Sequence, residues 1–141
     1  MITFVINEPP MGAVRMTQRG KRTKKNAQRY LSYKQMIGLI ARKQFSEPLE
    51  GPVAVEIGFR YPYPKSWTKK RLREALESQE LPTIKPDIDN CVKGIFDALN
   101  KIAWNDDSQV VALVTRKYYS DHPEIEVKVW QIGEETQEIY K

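Results

Sequence analysis

The chain holds a single cysteine, Cys91, and a single histidine, His122, among its 141 residues. One cysteine excludes an internal disulfide framework and fits a reducing compartment, so the cytoplasm is the expected location. No run approaches the ~20 consecutive apolar residues that a membrane span requires. Met1–Ile6 has no basic flank and is too short to read as a secretory leader. Repeats and low-complexity tracts are also missing, and the length suits one domain over 1–141. The most informative absence is of acid: between Glu8 and Glu47 there is none.

That acid-free stretch carries ten bases: Arg15, Arg19, Lys21, Arg22, Lys24, Lys25, Arg29, Lys34, Arg42 and Lys43. The other 13 basic residues face all 18 acidic ones, so the chain's net charge of +5 conceals +10 in one segment and −5 in the rest. Segregation of this kind is the footprint of a polyanion-binding surface, because each base set beside a phosphate releases condensed counterions. Its plainer alternatives are a solvated basic loop or a membrane-surface patch. Residues 11–28, polar and basic with little periodicity, read as an arm or loop. Within it Arg15, Arg19, Lys21 and Arg22 are the phosphate-contact candidates, supplying affinity and orientation but no base reading.

Residues 2–6 and the alternating Val53, Val55, Ile57 and Phe59 read as strands. Residues 29–45 show helical spacing, with Leu31, Met36, Ile37, Leu39, Ile40 and Phe45 as its apolar set. Ser66 is expected to cap a short charged helix reaching about Glu77. Residues 110–119 and 125–132 read as strands joined across Ser120–Pro123, in the manner of an antiparallel hairpin. The order suggests an α+β fold, a small mixed β-sheet packed against helices, with a polar tail at 133–141.

The segment Asp87–Asn100 carries a helical stripe of Ile88, Val92, Ile95, Phe96 and Leu99. Asp89, Lys93 and Asn100 fall on the adjacent face with Asp97 at its margin, and Cys91, Gly94 and Ala98 form a small-residue strip suited to close approach. Asp87 and Asp89 stand at the start of this helix and Asp107 just beyond its end. Phosphodiester hydrolysis uses a divalent metal to activate water and offset phosphoryl charge, and Mg²⁺ takes hard oxygen ligands such as these. Lys93, one turn after Asp89, can reach the same place. Taken singly, each has an ordinary reading: an aspartate capping a helix, an i,i+4 ion pair, an acid ending a turn. His122 reads as an exposed turn residue and Cys91 as a packed one. Trp67, Trp104 and Trp130 read as core or interface groups, with Trp104 beside the acidic turn. Tyr61 and Tyr63 offer either strand-end packing or stacking on exposed bases.

The run Lys85–Asn100 (KPDIDNCVKGIFDALN), followed by Trp104–Val110 (WNDDSQV), closely resembles the RusA family of Holliday junction resolvases. The pattern is Asp-x-Asp-Asn, Lys, Asp-Ala-Leu, then Asp-Asp-x-Gln-Val; Pro9-Pro10 after the first strand is a weaker echo of the family's opening. The resemblance implies a homodimeric α+β nuclease that binds Mg²⁺ (or Mn²⁺) and resolves four-way DNA junctions by paired symmetric nicks, in recombination and repair. By position Asp87, Asp89 and Asp107 match the family's catalytic and metal-binding carboxylates and Lys93 its functional lysine; Asp106 stands beside the matching acid. The family admits a bacterial or a phage-encoded protein. Two segments depart from its compact members: Tyr61–Thr83, which is longer, and the acidic tail Gly133–Lys141. The rival expectations are a non-catalytic protein binding branched DNA and a nuclease acting on flaps or duplex.

Overall fold

The computed structural model describes residues 1–15 and 25–133. Three of the four strands carry a clear alternation, the first of them, at Ile2–Ile6, burying Phe4 and Ile6. In β2 (Val53–Pro62) the odd residues Val53 to Tyr61 are buried, and in β4 (Glu124–Gln131) so are Ile125, Val127 and Val129. A period of two sends such residues to one face, which here becomes the core side of a mixed sheet. The strand order is β1-β4-β2-β3, with β1 (Ile2–Ile6) antiparallel to β4, β4 antiparallel to β2, and β2 parallel to β3 (Val110–Ser120).

The hairpin expected of β3 and β4 does not form. β2 lies between them, and the connection Asp121–Pro123 steps over its end, where Pro62 pairs Ser120 and Arg60 pairs Glu124. Alternation and a short turn fix the directions of two strands but not which of them are neighbours. A strand as buried as β2 is best satisfied at the centre, with a partner on each side.

Two helices cover the core face. α1 (Lys25–Arg42) begins four residues before the expected start and buries Ala27, Tyr30, Tyr33, Ile37, Gly38 and Ala41. The core stripe therefore runs through tyrosines and small residues, and Leu39, expected inside, is 65% exposed. Tyrosine rings serve as core while their hydroxyls reach a polar margin. α3 (Ile88–Leu99) buries Cys91, Val92, Gly94, Ile95, Ala98 and Leu99. The small-residue strip does admit a close neighbour: a Cβ on Gly94 would lie 3.4 Å from both the Met11 carbonyl oxygen and the Tyr30 ring.

α2 (Lys69–Glu77) stands at the end of the sheet, capped by Thr68, whose hydroxyl accepts from the Arg71 amide, rather than by Ser66. The sheet's other face carries the ion pairs Arg60–Glu124, Arg116–Glu56 and Lys128–Glu126. Among the described residues no helix is long and apolar enough to cross a membrane. The polar tail, from residue 134 on, lies outside them, as do Arg19, Lys21 and Arg22 of the basic arm.

Candidate active site

Asp87 has the extended backbone of an N-cap (φ −66°, ψ 150°), yet its carboxylate makes no capping hydrogen bond. Asp89 sits in the first turn of α3, and both side chains are exposed. Two hard carboxylates are thus presented at one helix start, neither committed to the cap that would have been the ordinary use of Asp87.

The loop leading into Asp87 is tied down from below. The Pro86 carbonyl accepts from the Tyr61 hydroxyl at 2.6 Å and from Lys117 Nζ at 3.3 Å, and Lys117 also donates to the Ile84 carbonyl at 2.7 Å. The Lys117 ammonium lies 4.7 Å from the Tyr61 ring centroid, a cation–π arrangement. Tyr61 is buried, which resolves its role as packing and positioning. Burial first, then its contact with the Cys91 sulfur, drives the Tyr61 hydroxyl well above its ordinary pKa, so it remains a donor. The Cys91 thiol is likewise pushed up, chiefly by burial; Asp87 and Asp89 add to this while Tyr61 and Lys117 oppose it. Cys91 is a packed group beneath the carboxylates.

Lys117 escaped the sequence reading. A lysine in the core-facing phase of β3, where Leu113, Thr115 and Tyr119 share its side, was the available signal. It became meaningful only once the register set it opposite Phe59 and against the loop before Asp87.

Next to Asp89 in sequence, Asn90 clamps the segment after Pro10. Its side chain donates to the Ala13 carbonyl at 3.1 Å and its carbonyl accepts from the Ala13 amide at 3.1 Å. Gly12 is required by this approach, since a Cβ there would fall 2.5 Å from the Asn90 amide nitrogen. The clamp brings the exposed Arg15 into one groove with Lys93, Lys34 and Asp97. Tyr30 donates to Asp97 at 2.9 Å and lies under the Lys34 ammonium, so α1 and α3 are joined at the groove floor.

Asp107 is built differently. It opens a short 3-10 turn, Asp107–Gln109, whose cap is Asp106: the Asp106 carboxylate accepts from the Ser108 amide, a bond that holds its pKa below the usual range. Gln109 braces the turn, accepting from the Asn105 and Asp106 amides and donating to the Leu49 and Gly51 carbonyls. Trp104, fully buried, donates to Asn100 at 2.6 Å just before it. With Asp106 so engaged, Asp107 is the member of the pair whose carboxylate makes no hydrogen bond to another described residue.

Asp107 precedes the start of β3, where Val110 pairs with Val53, whereas Asp87 adjoins Lys117 near the end of that strand. From Val110 to Lys117 is roughly 23 Å at a strand's rise of about 3.3 Å per residue. The fold therefore sets Asp87 and Asp89 at the start of α3, with Lys93 one turn further along it, and leaves Asp107 beyond its other end. Among the described residues no three His, Cys, Asp or Glu side chains are grouped to hold a metal ion. Asp87 and Asp89 have the donor chemistry for a hard divalent cation but form only part of a ligand set.

Residues 8–130 match the family model described as endodeoxyribonuclease RusA. The chain is also 37% identical over 127 residues to the uncharacterized protein YqaN of Bacillus subtilis (strain 168), an alignment covering 88% of this chain and 87% of that protein.

Proposed function

The chain belongs to the RusA endodeoxyribonuclease family, and from that premise we propose that it is a structure-specific nuclease that resolves four-way DNA junctions by paired nicks, working as a homodimer with Mg²⁺ or Mn²⁺. The observation that carries the reading is the exposed, uncapped pair Asp87 and Asp89 at the start of α3, with Lys93 and Arg15 in the groove beside them. A divalent cation bound there would activate water and offset charge on the phosphoryl oxygens. The chain's own residues do the positioning. Lys93 and Arg15 meet the phosphates flanking the scissile one, and Lys117 and Tyr61 fix the loop from which Asp87 projects.

Completing the ligand set with Asp107 calls for a second copy. β3 is an edge strand whose Leu113 and Val114 are 40% and 41% exposed, an apolar edge suited to pairing. Two copies paired antiparallel along β3 about a two-fold axis would set the start of one β3 beside the end of the other. Asp107 of the partner subunit would then approach Asp87 and Asp89. Two such composite sites, related by the same axis, suit two symmetric nicks.

The test is a cleavage assay on labelled four-way, flapped and linear DNA, with Mg²⁺ or with EDTA, beside Asp89→Asn. The reading expects symmetric nicks in the junction only with metal, and a loss of about 100-fold or more in the variant. Tight junction binding without cleavage in Mg²⁺, or in Mn²⁺ put in its place, or equal cutting of all three substrates, would overturn it.

A further inference from the structure

We infer that the segment from Tyr63 to Arg73, which includes the first half of α2, is a second DNA-backbone contact, gripping a duplex arm beyond Lys117 and apart from the groove of Arg15 and Lys93. The inference rests on the nuclease reading above and assigns that substrate a further surface.

Its first support is placement. Tyr63, Trp67 and Tyr119 form a three-ring cluster, with Tyr63 stacked on Tyr119 at 5.3 Å and Trp67 edge-on to Tyr119 at 5.4 Å. Tyr119 lies two residues beyond Lys117 on the same side of β3, about 7 Å along the strand. Lys117 in turn holds the loop before Asp87. α2 is therefore bolted to the catalytic end of the sheet. The bolt is braced: the Arg71 guanidinium lies 4.0 Å over the Trp67 ring and donates to both oxygens of Glu80 at 2.9 Å.

The second support is charge. Arg71 is consumed by this clamp, but Lys65, Lys69, Lys70 and Arg73 are exposed and make no ion pair with another described residue. The acids of the helix, Glu74 and Glu77, come later along it. The first turn has no acid and the last no base, the reverse of what the helix dipole favours. A stability rule broken on a surface tied to the site is the pattern expected where function sets the residues. Exposed cations thus stand on two elements, Arg15, Lys34 and Lys93 in the groove between α1 and α3 and the α2 bases beyond Lys117, as a polyanion lying across the site requires.

The experiment measures junction affinity by anisotropy in the Asp89→Asn protein, which leaves the DNA uncut, across a range of salt concentrations. Into it go Lys65→Gln, Lys69→Gln, Lys70→Gln and Arg73→Gln together or, separately, Glu74→Gln with Glu77→Gln. The basic set should weaken binding about 10-fold or more near physiological salt. It should also lower the slope of log affinity against log salt by roughly 2 to 4, about 0.9 for each phosphate no longer neutralised. The acidic pair should tighten binding. Unchanged affinity and slope in the basic set would overturn the inference while junction binding by the parent protein leaves the nuclease reading standing. Failure of the parent itself to bind the junction would overturn both.

Discussion

Gln109 satisfies all four of its amide hydrogen-bonding positions within the turn that carries Asp107, two as acceptor and two as donor. Gln109→Glu keeps the size but removes both donors and turns a carboxylate toward the Leu49 and Gly51 carbonyls. It should cost about 1–3 kcal/mol in urea unfolding, more than replacement of an exposed glutamine would. Its neighbour Asp106 makes a pH-dependent contribution. Its pKa is held below the ordinary value by the Ser108 amide, so the stability it adds is complete above about pH 4 and lost as the pH falls through the lowered value. Asp106→Ala should therefore be less stable than the parent at pH 7, and the difference should fade on acidification. The places of Asp87, Asp89 and Lys93 along one helix were legible from helical spacing, whereas the roles proposed for them come from the family pattern. The work of Gln109 and Lys117 was legible from neither, since both act on partners some 30 to 60 residues away that only the fold brings near.

At the scale of elements, α3 and its neighbours decide whether the carboxylates stand where they do. Gly94 packs against Tyr30 of α1 and the Met11 backbone, with 3.4 Å left for a Cβ. That distance is ordinary van der Waals contact, so Gly94→Ala should fold and gain up to about 1 kcal/mol from helix propensity. Gly94→Val has no room for its extra methyl groups and should lose about 1–3 kcal/mol through displacement of α1 or of the Met11 segment. Equilibrium unfolding of the two variants separates a tight but complete packing from an open one. The small-residue strip Cys91, Gly94, Ala98 announced this approach in advance, and α3 itself was legible almost to the residue. The neighbours of β3 and the start of α1 were not. Strand pairing is set by which edges are left to satisfy, and α1 buries tyrosines that an apolar count passes over.

For the whole molecule, the arrangement of charge follows from topology. Asn90 ties the segment ending at Arg15 next to the carboxylate pair, and the aromatic cluster ties the chain before α2 to the end of β3 beyond Lys117. The same topology separates Asp107 from that pair by the length of β3, although all three acids occur within 21 residues of sequence. A third acid could join Asp87 and Asp89 within one chain only by folding back on them; the sheet keeps Asp107 at the opposite end. A site shared between two copies reconciles the family pattern with this geometry, and it makes a demand that no single-chain site makes. The decisive measurement mixes Asp89→Asn with Asp107→Asn after subunit exchange and assays nicking of a four-way junction in Mg²⁺, beside wild type and each variant alone. Each variant alone should be inactive. In the mixed dimer one composite site has lost both acids and the other has lost neither, so single nicks should return. A mixture as inactive as its components, while wild type cuts, would contradict the shared site and return all three acids to one chain.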